Sequence, residues 1–328
     1  MFMQGSFSNI RIGGIYSALP ANCVINSEID NCMSKKKINA QVNVTGIQTR
    51  HIAKKDDTAL KFAIRSAEEL ISKSGIDKEK IMILNYVTQS PEYVLPSTAF
   101  NIGQKLSLDE KCMMFDINMG CTGFVAGFIN AASLLQNSPD GSYALVIISD
   151  TITKYVDPND SSSCLIFGDG ASAILLEKTK DKKVKYYFSS KPLLCDSIIV
   201  EKGTPFKMNG ISVLNYVISD VTKHIEIFKN EFDIKEEYID HYVCHQAQKY
   251  ILDKLAYFGG IDHKKNLISY DKCGNTSGAS IPITICANSE KITSNQNLFM
   301  CGFGAGLSMG CIYLKIDSEC IYPIEYID

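Results

Sequence analysis

The sequence predicts an α/β protein with helices covering its sheets, and three observations carry that expectation. Short β-rich runs alternate with helical stretches along the chain, as layered α/β architectures require. Several of these runs are continuously apolar, the pattern of strands buried on both faces. One helix–strand unit also recurs later in the chain in similar form.

Residues 58–74 (TALKFAIRSAEELISKS) place apolar side chains at helical spacing, as does the segment 122–136. IMILNYV (81–87), CMMFDIN (112–118) and YALVIISD (143–150) read as buried strands bounded by polar or turn residues. Lys35, Lys36 and Lys37 form a short cluster, read as a solvated helix end. Farther on, YIDHYV reads as a strand and QKYILDKLAY as an amphipathic helix. YDKCGNTSGASIP reads as a strand followed by a Gly-flanked turn, and MCGFGAGLSMG as a Gly-rich stretch between two apolar runs.

The stretch AEELISKSGIDKEKIMILNYVTQ, ending at Gln89, resembles IEIFKNEFDIKEEYIDHYVCHQ, ending at Gln246. Ile76 pairs with Ile234 and Ile81 with Ile239, each 158 positions apart. FDINMGCTG (115–123) then faces SYDKCGNTSG (269–278) in the same order. Repetition of this kind predicts two similar halves, 1–180 and 181–328, meeting at the charged stretch KTKDKKVK. No Pro/Gly/Ser-rich linker separates them, so they are expected to share one extensive interface.

Composition narrows the function classes. Apolar residues make up 45% of the 328, enough for a large core. With 33 basic and 36 acidic residues the net charge is −3, and the lack of a long basic block argues against a nucleic-acid partner. No apolar run approaches the ~18 residues of a membrane span, and the start MFMQGSFSNIRIGG lacks the pattern of a signal peptide. The 12 cysteines are scattered with no C-x-x-C pair, which predicts reduced thiols in a cytosolic protein and no metal site.

Three residues stand where chemistry is possible. Cys121 follows a predicted strand and opens a helix, where unpaired N–H groups and the macrodipole favour a thiolate. His245 lies on a strand-to-helix turn, placed to reach a ligand at the strand end, although His51, His224, His241 and His263 compete on composition alone. Asn275, in Gly-Asn-Thr-Ser, would by itself be an ordinary turn residue. The Gly-rich segment 300–310 lacks the strand–turn–helix setting of a nucleotide loop, but its backbone N–H groups suit an oxyanion.

Taken together, TGIQTRHIA (45–53), FDINMGCTGF (115–124), SDTITKYVDPNDSSSCLIFGDGASAILLE (149–177), HQA (245–247), GNTSGASIP (274–282) and GFGAGLSMG (302–310) resemble the β-ketoacyl-acyl-carrier-protein synthase III family of the thiolase superfamily. The ordered set spans nearly the whole chain. The resemblance implies a thiolase-like fold, two similar halves in a five-layered α-β-α-β-α arrangement. It implies Cys121 as the acyl-accepting nucleophile, with His245 and Asn275 promoting decarboxylation of a malonyl thioester whose carbanion attacks the acyl-cysteine. It further implies an oxyanion hole from the backbone N–H groups of Cys121 and Ala305, and an apolar wall at Phe303. EYVLPS (92–97) matches a loop that reaches into a partner's acyl pocket, with Leu95 at its tip, so a homodimer is expected. Thr122 and Phe124 join Leu95 as expected acyl-channel residues. The substrates implied are acyl-carrier-protein or coenzyme A thioesters, with no bound cofactor.

The departures lie outside these catalytic motifs. The chain has no tryptophan, and KKKINAQVNV stands where the family reads an acidic-Trp-Ile pattern. Ser161 replaces the arginine after Asp-Pro-x-Asp. Asn215 occupies a usually basic position, and Tyr250, beside Lys249, takes an arginine position. These changes put the cofactor-arm and carrier surfaces in question and suggest a specialised relative. The runner-up function keeps Cys121 but passes its acyl group to an oxygen or nitrogen nucleophile, with His245 as general base. A hydroxymethylglutaryl-type condensation would need a glutamate base for which no matching motif occurs. A catalytically dead subunit would have lost one of the three residues.

Overall fold

Residues 3–29, 33–180 and 182–328 are described by the computed structural model. The strands are β1 (Met3–Phe7), β2 (Ile10–Pro20), β3 (Cys23–Ile25), β4 (Thr49–His51), β5 (Ile81–Val87), β6 (Met113–Ile117), β7 (Tyr143–Asp150), β8 (Gly170–Lys178), β9 (Val184–Ser190), β10 (Ile198–Ile199), β11 (Lys207–Met208), β12 (His241–Cys244), β13 (Gln296–Gly304), β14 (Ser308–Ile316) and β15 (Glu325–Ile327). The helices are α1 (Lys35–Thr45), α2 (Ala59–Ser74), α3 (Thr98–Leu106), α4 (Gly123–Leu135), α5 (Gly210–Tyr216), α6 (Thr222–Glu231), α7 (Lys249–Gly259), α8 (Tyr270–Cys273) and α9 (Ser280–Ala287).

Two mixed sheets organise the chain. One runs β15-β2-β8-β7-β5-β6, the other β1-β9-β14-β13-β12. Side chains alternate across each strand, and on the central strands both faces are buried. On β7, Ala144, Val146 and Ile148 point into the space between the sheets, while Leu145 and Ile147 join the outer layer with α2 and α3. On β13, Leu298 and Met300 face inward, and Phe299, Cys301 and Phe303 face the layer of α6 and α7. This double burial is why the runs read as continuously apolar.

Helices α4 and α9 fill the middle layer, each touching strands of both sheets. Phe124, Val125, Phe128, Ile129 and Leu135 of α4 are all buried, so the helix is apolar over most of its circumference, and only a narrow stripe at Asn130 and Ser133 is exposed. Each such side chain contributes roughly 1.5–3 kcal/mol of burial. The layers are therefore helix, sheet, helix, sheet, helix.

The strands expected at 81–87 and 143–150 occupy those residues, and the helix expected at 58–74 spans Ala59–Ser74 with a left-handed stop at Gly75. Lys35–Lys37 open α1, where Ser34 Oγ accepts from the Lys37 N–H. Three readings need correction. The strand expected over CMMFDIN forms as β6, but at the edge of its sheet with Met113 exposed and no fully buried residue, so it is not the buried strand expected. The strand expected over YIDHYV begins only at His241, because Glu236–Tyr238 form a 3-10 turn first. The strand expected before Asn275 is instead the helical turn α8. The Ser269 and Tyr270 N–H groups donate to Gln246 Oε1, and the Gly274 N–H closes the turn on the Tyr270 carbonyl. Asp181, at the expected boundary between halves, lies outside the described residues. Among the described residues no helix is long and apolar enough to cross a membrane.

Candidate active site

Cys121 stands between the end of β6 and the start of α4, and the Gly123 N–H closes that turn on the Gly120 carbonyl at 2.6 Å. The β13–β14 hairpin presses against it. A Cβ built on Gly304 would lie 2.6 Å from Cys121 Cβ and 2.8 Å from Sγ, and Gly304 holds φ +145°. Only glycine meets both conditions. Gly304→Ala is thus expected to displace the thiol and slow its acylation by about 100-fold, read by intact-mass kinetics alongside an unfolding curve.

His245 leaves β12 with its backbone N–H on the Cys301 carbonyl (2.8 Å) and its ring Nδ1 2.7 Å from Ser280 Oγ. The Phe303 ring stands edge-on to it at 5.4 Å. Gln246 ties this turn down, accepting from the Ser269 and Tyr270 N–H groups and donating to the Cys244 carbonyl. Asn275 is fixed through its backbone. Its N–H donates to the Ile166 carbonyl and its carbonyl accepts from the Gly168 N–H. Buried Arg50 secures that segment in turn, donating to the Phe167 carbonyl and to Asn26 Oδ1. Asn275 Oδ1 accepts from the Ser277 N–H at 2.9 Å, which leaves the amide NH2 as its donor end.

Ser277 is where the three meet. Its N–H binds Asn275, its carbonyl acts on His245 and its hydroxyl acts on Cys121. It also holds φ +51°, a left-handed conformation uncommon for a non-glycine residue and typical of over-determined functional sites. Its hydroxyl donates to Gln89 Oε1 at 2.8 Å.

The electrostatics set burial against the helix N-terminus. Cys121 keeps some accessible surface, yet burial of its sulfur pushes the thiol up to about 11, against the pull of the Ala305 backbone N–H. Desolvation outweighs the hydrogen-bond donors at the sulfur, and the charge of Asp150 adds to it, so burial opposes the pull of the helix N-terminus. Burial likewise lowers His245 to about 3, opposed by the Ser277 carbonyl, so the ring is neutral at physiological pH. Asp150, at the end of β7, is raised to about 7 by burial despite donation from the Gln89 N–H, Ser90 and Thr88. One of its oxygens, Oδ2, is buried without a hydrogen-bond partner.

Of the other expected site residues, Ala305 presents its N–H near the Cys121 sulfur and Phe303 faces His245. Thr122 is fully buried, with its hydroxyl 2.8 Å from Ser308 Oγ. Phe124 packs in the middle layer against Phe128. Leu95 is 86% exposed on the loop between β5 and α3, outside this cluster. Sequence reasoning passed over Gln89, Asp150, Gln246, Ser277 and Ser280. The one available signal was an acid closing the apolar run YALVIISD.

Two cavities adjoin the cluster. An inner one of about 150 Å³ is lined by Gln89, Tyr155, Ile199, Phe206 and Ala305. An outer one of about 760 Å³, between β11, α5 and α7, is lined by Ile199, Lys207, Gln248 and Tyr250. Ile199 lines both cavities. Tyr250 lines the outer one, and Lys249 is paired with Asp253 at 2.5 Å.

Comparison with known proteins agrees with this geometry. Residues 115–192 match the family described as 3-Oxoacyl-[acyl-carrier-protein (ACP)] synthase III, and residues 230–316 match its C-terminal region. The chain is 34% identical over 298 residues to a beta-ketoacyl-[acyl-carrier-protein] synthase III of Streptococcus agalactiae, covering 83% of this chain and 88% of the relative. It is 31% identical over 328 residues to a protein of the same name from Streptococcus pyogenes, covering 93% and 99%. The crystal structure of a 3-oxoacyl-(acyl-carrier protein) synthase from Burkholderia xenovorans superposes with a TM-score of 0.94 at 25% identity, covering 99% of both chains. That of a 3-oxoacyl-[acyl-carrier-protein] synthase III from Aquifex aeolicus gives 0.86 at 26% identity, covering 94% of this chain and all of that one. A nucleophile-bearing turn seated between two sheets, in a chain that these relatives match nearly end to end, belongs to the 3-oxoacyl-[acyl-carrier-protein] synthase III family of thiolase-fold condensing enzymes.

Proposed function

We propose that the protein joins an acyl group to a malonyl unit by decarboxylative Claisen condensation, using Cys121, His245 and Asn275. The observation that carries this reading is the convergence of those three side chains on Ser277, beside the Ala305 N–H. The Cys121 thiol attacks an acyl thioester and displaces the donor thiol, which takes up the proton that the cysteine gives up. Covalent capture divides one difficult step into two.

The malonyl thioester then enters. In the tautomer used for this step Nδ1 accepts from the Ser280 hydroxyl and the neutral His245 ring carries its proton on Nε2. That N–H and the Asn275 NH2 donate to the thioester carbonyl oxygen. The bond to the carboxylate breaks and carbon dioxide leaves, its electron pair passing into an enolate held by those two donors. The apolar Phe303 ring favours loss of the charged carboxylate. The enolate carbon attacks the acyl-Cys121 carbonyl, whose oxyanion is held by the Cys121 and Ala305 N–H groups. Collapse breaks the bond to sulfur and releases a 3-oxoacyl thioester, and the departing Cys121 thiolate takes a proton from solvent to restore the thiol.

The acyl donors would be thioesters of acyl-carrier protein or coenzyme A. The rest of our reading is a chain of two similar halves, 1–180 and 181–328, working in the cytosol, where thiols stay reduced. The protein would form a homodimer. Strand β6 is a bare sheet edge, Met113 on it is 56% exposed, and Phe100, Val94 and Leu95 are exposed nearby. Met113→Glu should leave a monomer by sedimentation. A dimer unaffected by this change would place the interface elsewhere.

The test incubates the enzyme with acyl thioesters and a malonyl thioester, following Cys121 mass and carbon dioxide. An acyl adduct followed by equimolar carbon dioxide and 3-oxoacyl product supports the reading. An adduct without carbon dioxide would favour acyl transfer to an oxygen or nitrogen nucleophile.

A further inference from the structure

We propose that Gln89 reads the acyl group carried on Cys121 and selects short acyl chains that bear a hydroxyl. The inference rests on the acyl-enzyme reading above and adds the substrate class. Gln89 is held from both ends. Its backbone N–H donates to Asp150 Oδ1 at 2.7 Å, and its side-chain oxygen accepts from Ser277 Oγ at 2.8 Å. Asp150 also draws in the neighbouring residues, accepting from the Thr88 and Ser90 hydroxyls at 3.2 Å each. Ser90 Oγ in turn accepts from the Thr151 N–H at 3.0 Å. The segment after β5 is therefore clipped to the end of β7, and the Gln89 amide has little freedom to turn away.

With both of those groups engaged, the amide NH2 is the part of Gln89 left to the inner cavity. That cavity begins at Ala305, whose N–H reaches the Cys121 sulfur, so an acyl group on Cys121 lies at its mouth. Its volume of about 150 Å³ is that of a space for a benzene-sized guest, a fit for a short acyl chain. Ile152, Ile198, Ile199, Val200 and Phe206 supply apolar walls, Asn118 and Tyr155 also border the space, and Gln89 is the polar group there that is held from both ends. A plain alkyl chain would cover that amide and leave it unpaired, whereas a hydroxyl on the chain pairs with it. A site built around one such hydrogen bond discriminates against the analogue that lacks it.

The experiment measures the rate of acyl-Cys121 formation by intact mass, with the full-length protein and three donors: acetyl-, butyryl- and 3-hydroxybutyryl-coenzyme A. The wild type should take 3-hydroxybutyryl over butyryl by on the order of tenfold. Gln89→Leu should abolish or invert that ratio. Because the ratio is taken within each variant, any general loss from disturbing Ser277 cancels. Equal rates in the wild type, an adduct from acetyl-coenzyme A alone, or a preference that survives Gln89→Leu would each overturn the assignment and leave the acyl-enzyme reading standing. No adduct from any of the three would overturn both.

Discussion

Cys121→Ala is expected to abolish acyl-enzyme formation and lower condensation by roughly 10³-fold or more, since nothing else in the cluster can carry the acyl group. Intact mass after incubation with an acyl thioester reads this directly: the wild type gains one acyl mass and the variant none. Exposed Cys23 provides the control, and Cys23→Ser should leave the adduct unchanged. The result also bears on how the thiol reacts. With burial holding it up to about 11, the free enzyme carries a neutral thiol below that pH, and acylation should accelerate as pH rises through the working range. A rate that is flat from pH 6 to 9 would mean that bound substrate lowers the thiol pKa well below its value in the empty site.

Asn275→Ala and His245→Ala should separate the two half-reactions. Each removes one donor to the enolate oxygen, so carbon dioxide release should fall by about 10²–10³-fold while acylation of Cys121 persists. The double variant should lose less than the product of the single losses, because both donors serve one oxygen. The pH dependence of decarboxylation follows from the His245 environment. Its pKa is lowered to about 3, so the ring charges only below that value and no His245 inflection is expected between pH 5 and 9. An inflection near pH 6.5 that disappears in His245→Ala would overturn this picture and give the imidazolium a role.

The catalytic triad was legible because each member sits in a short local context whose order along the chain is itself informative. Cys121 lies in a strand-to-helix turn, His245 ends a strand and Asn275 lies between glycines. The residues that hold the triad in place were not legible, because their partners are remote in sequence. Ser277 and Gln89 are 188 positions apart, and Gln89 and Asp150 are 61 apart. No periodicity records such pairs. The error at α8 has the same origin. Residues 270–273 were read from local composition, whereas their conformation is set by Gln246 Oε1 arriving from the end of β12. Helix α4 was legible as a helix, and its apolar residues signalled burial. That both sheets would enclose it depends on topology. The opposition between the helix N-terminus and burial at Cys121 was half legible for a related reason: the helix N-terminus is visible in the sequence, and the depth at which the sulfur is buried is not.

The enclosure of α4 between the two sheets has a consequence for how the protein comes apart. Amide hydrogens of the buried residues of α4, such as Val125, Phe128 and Ile129, lie between the two sheets, so their exchange with solvent requires one sheet to leave the other. That event is close to global unfolding. The slowest-exchanging core of the molecule and the support of its nucleophile are thus one helix, and a chain loosened enough to expose that core has already lost its activity.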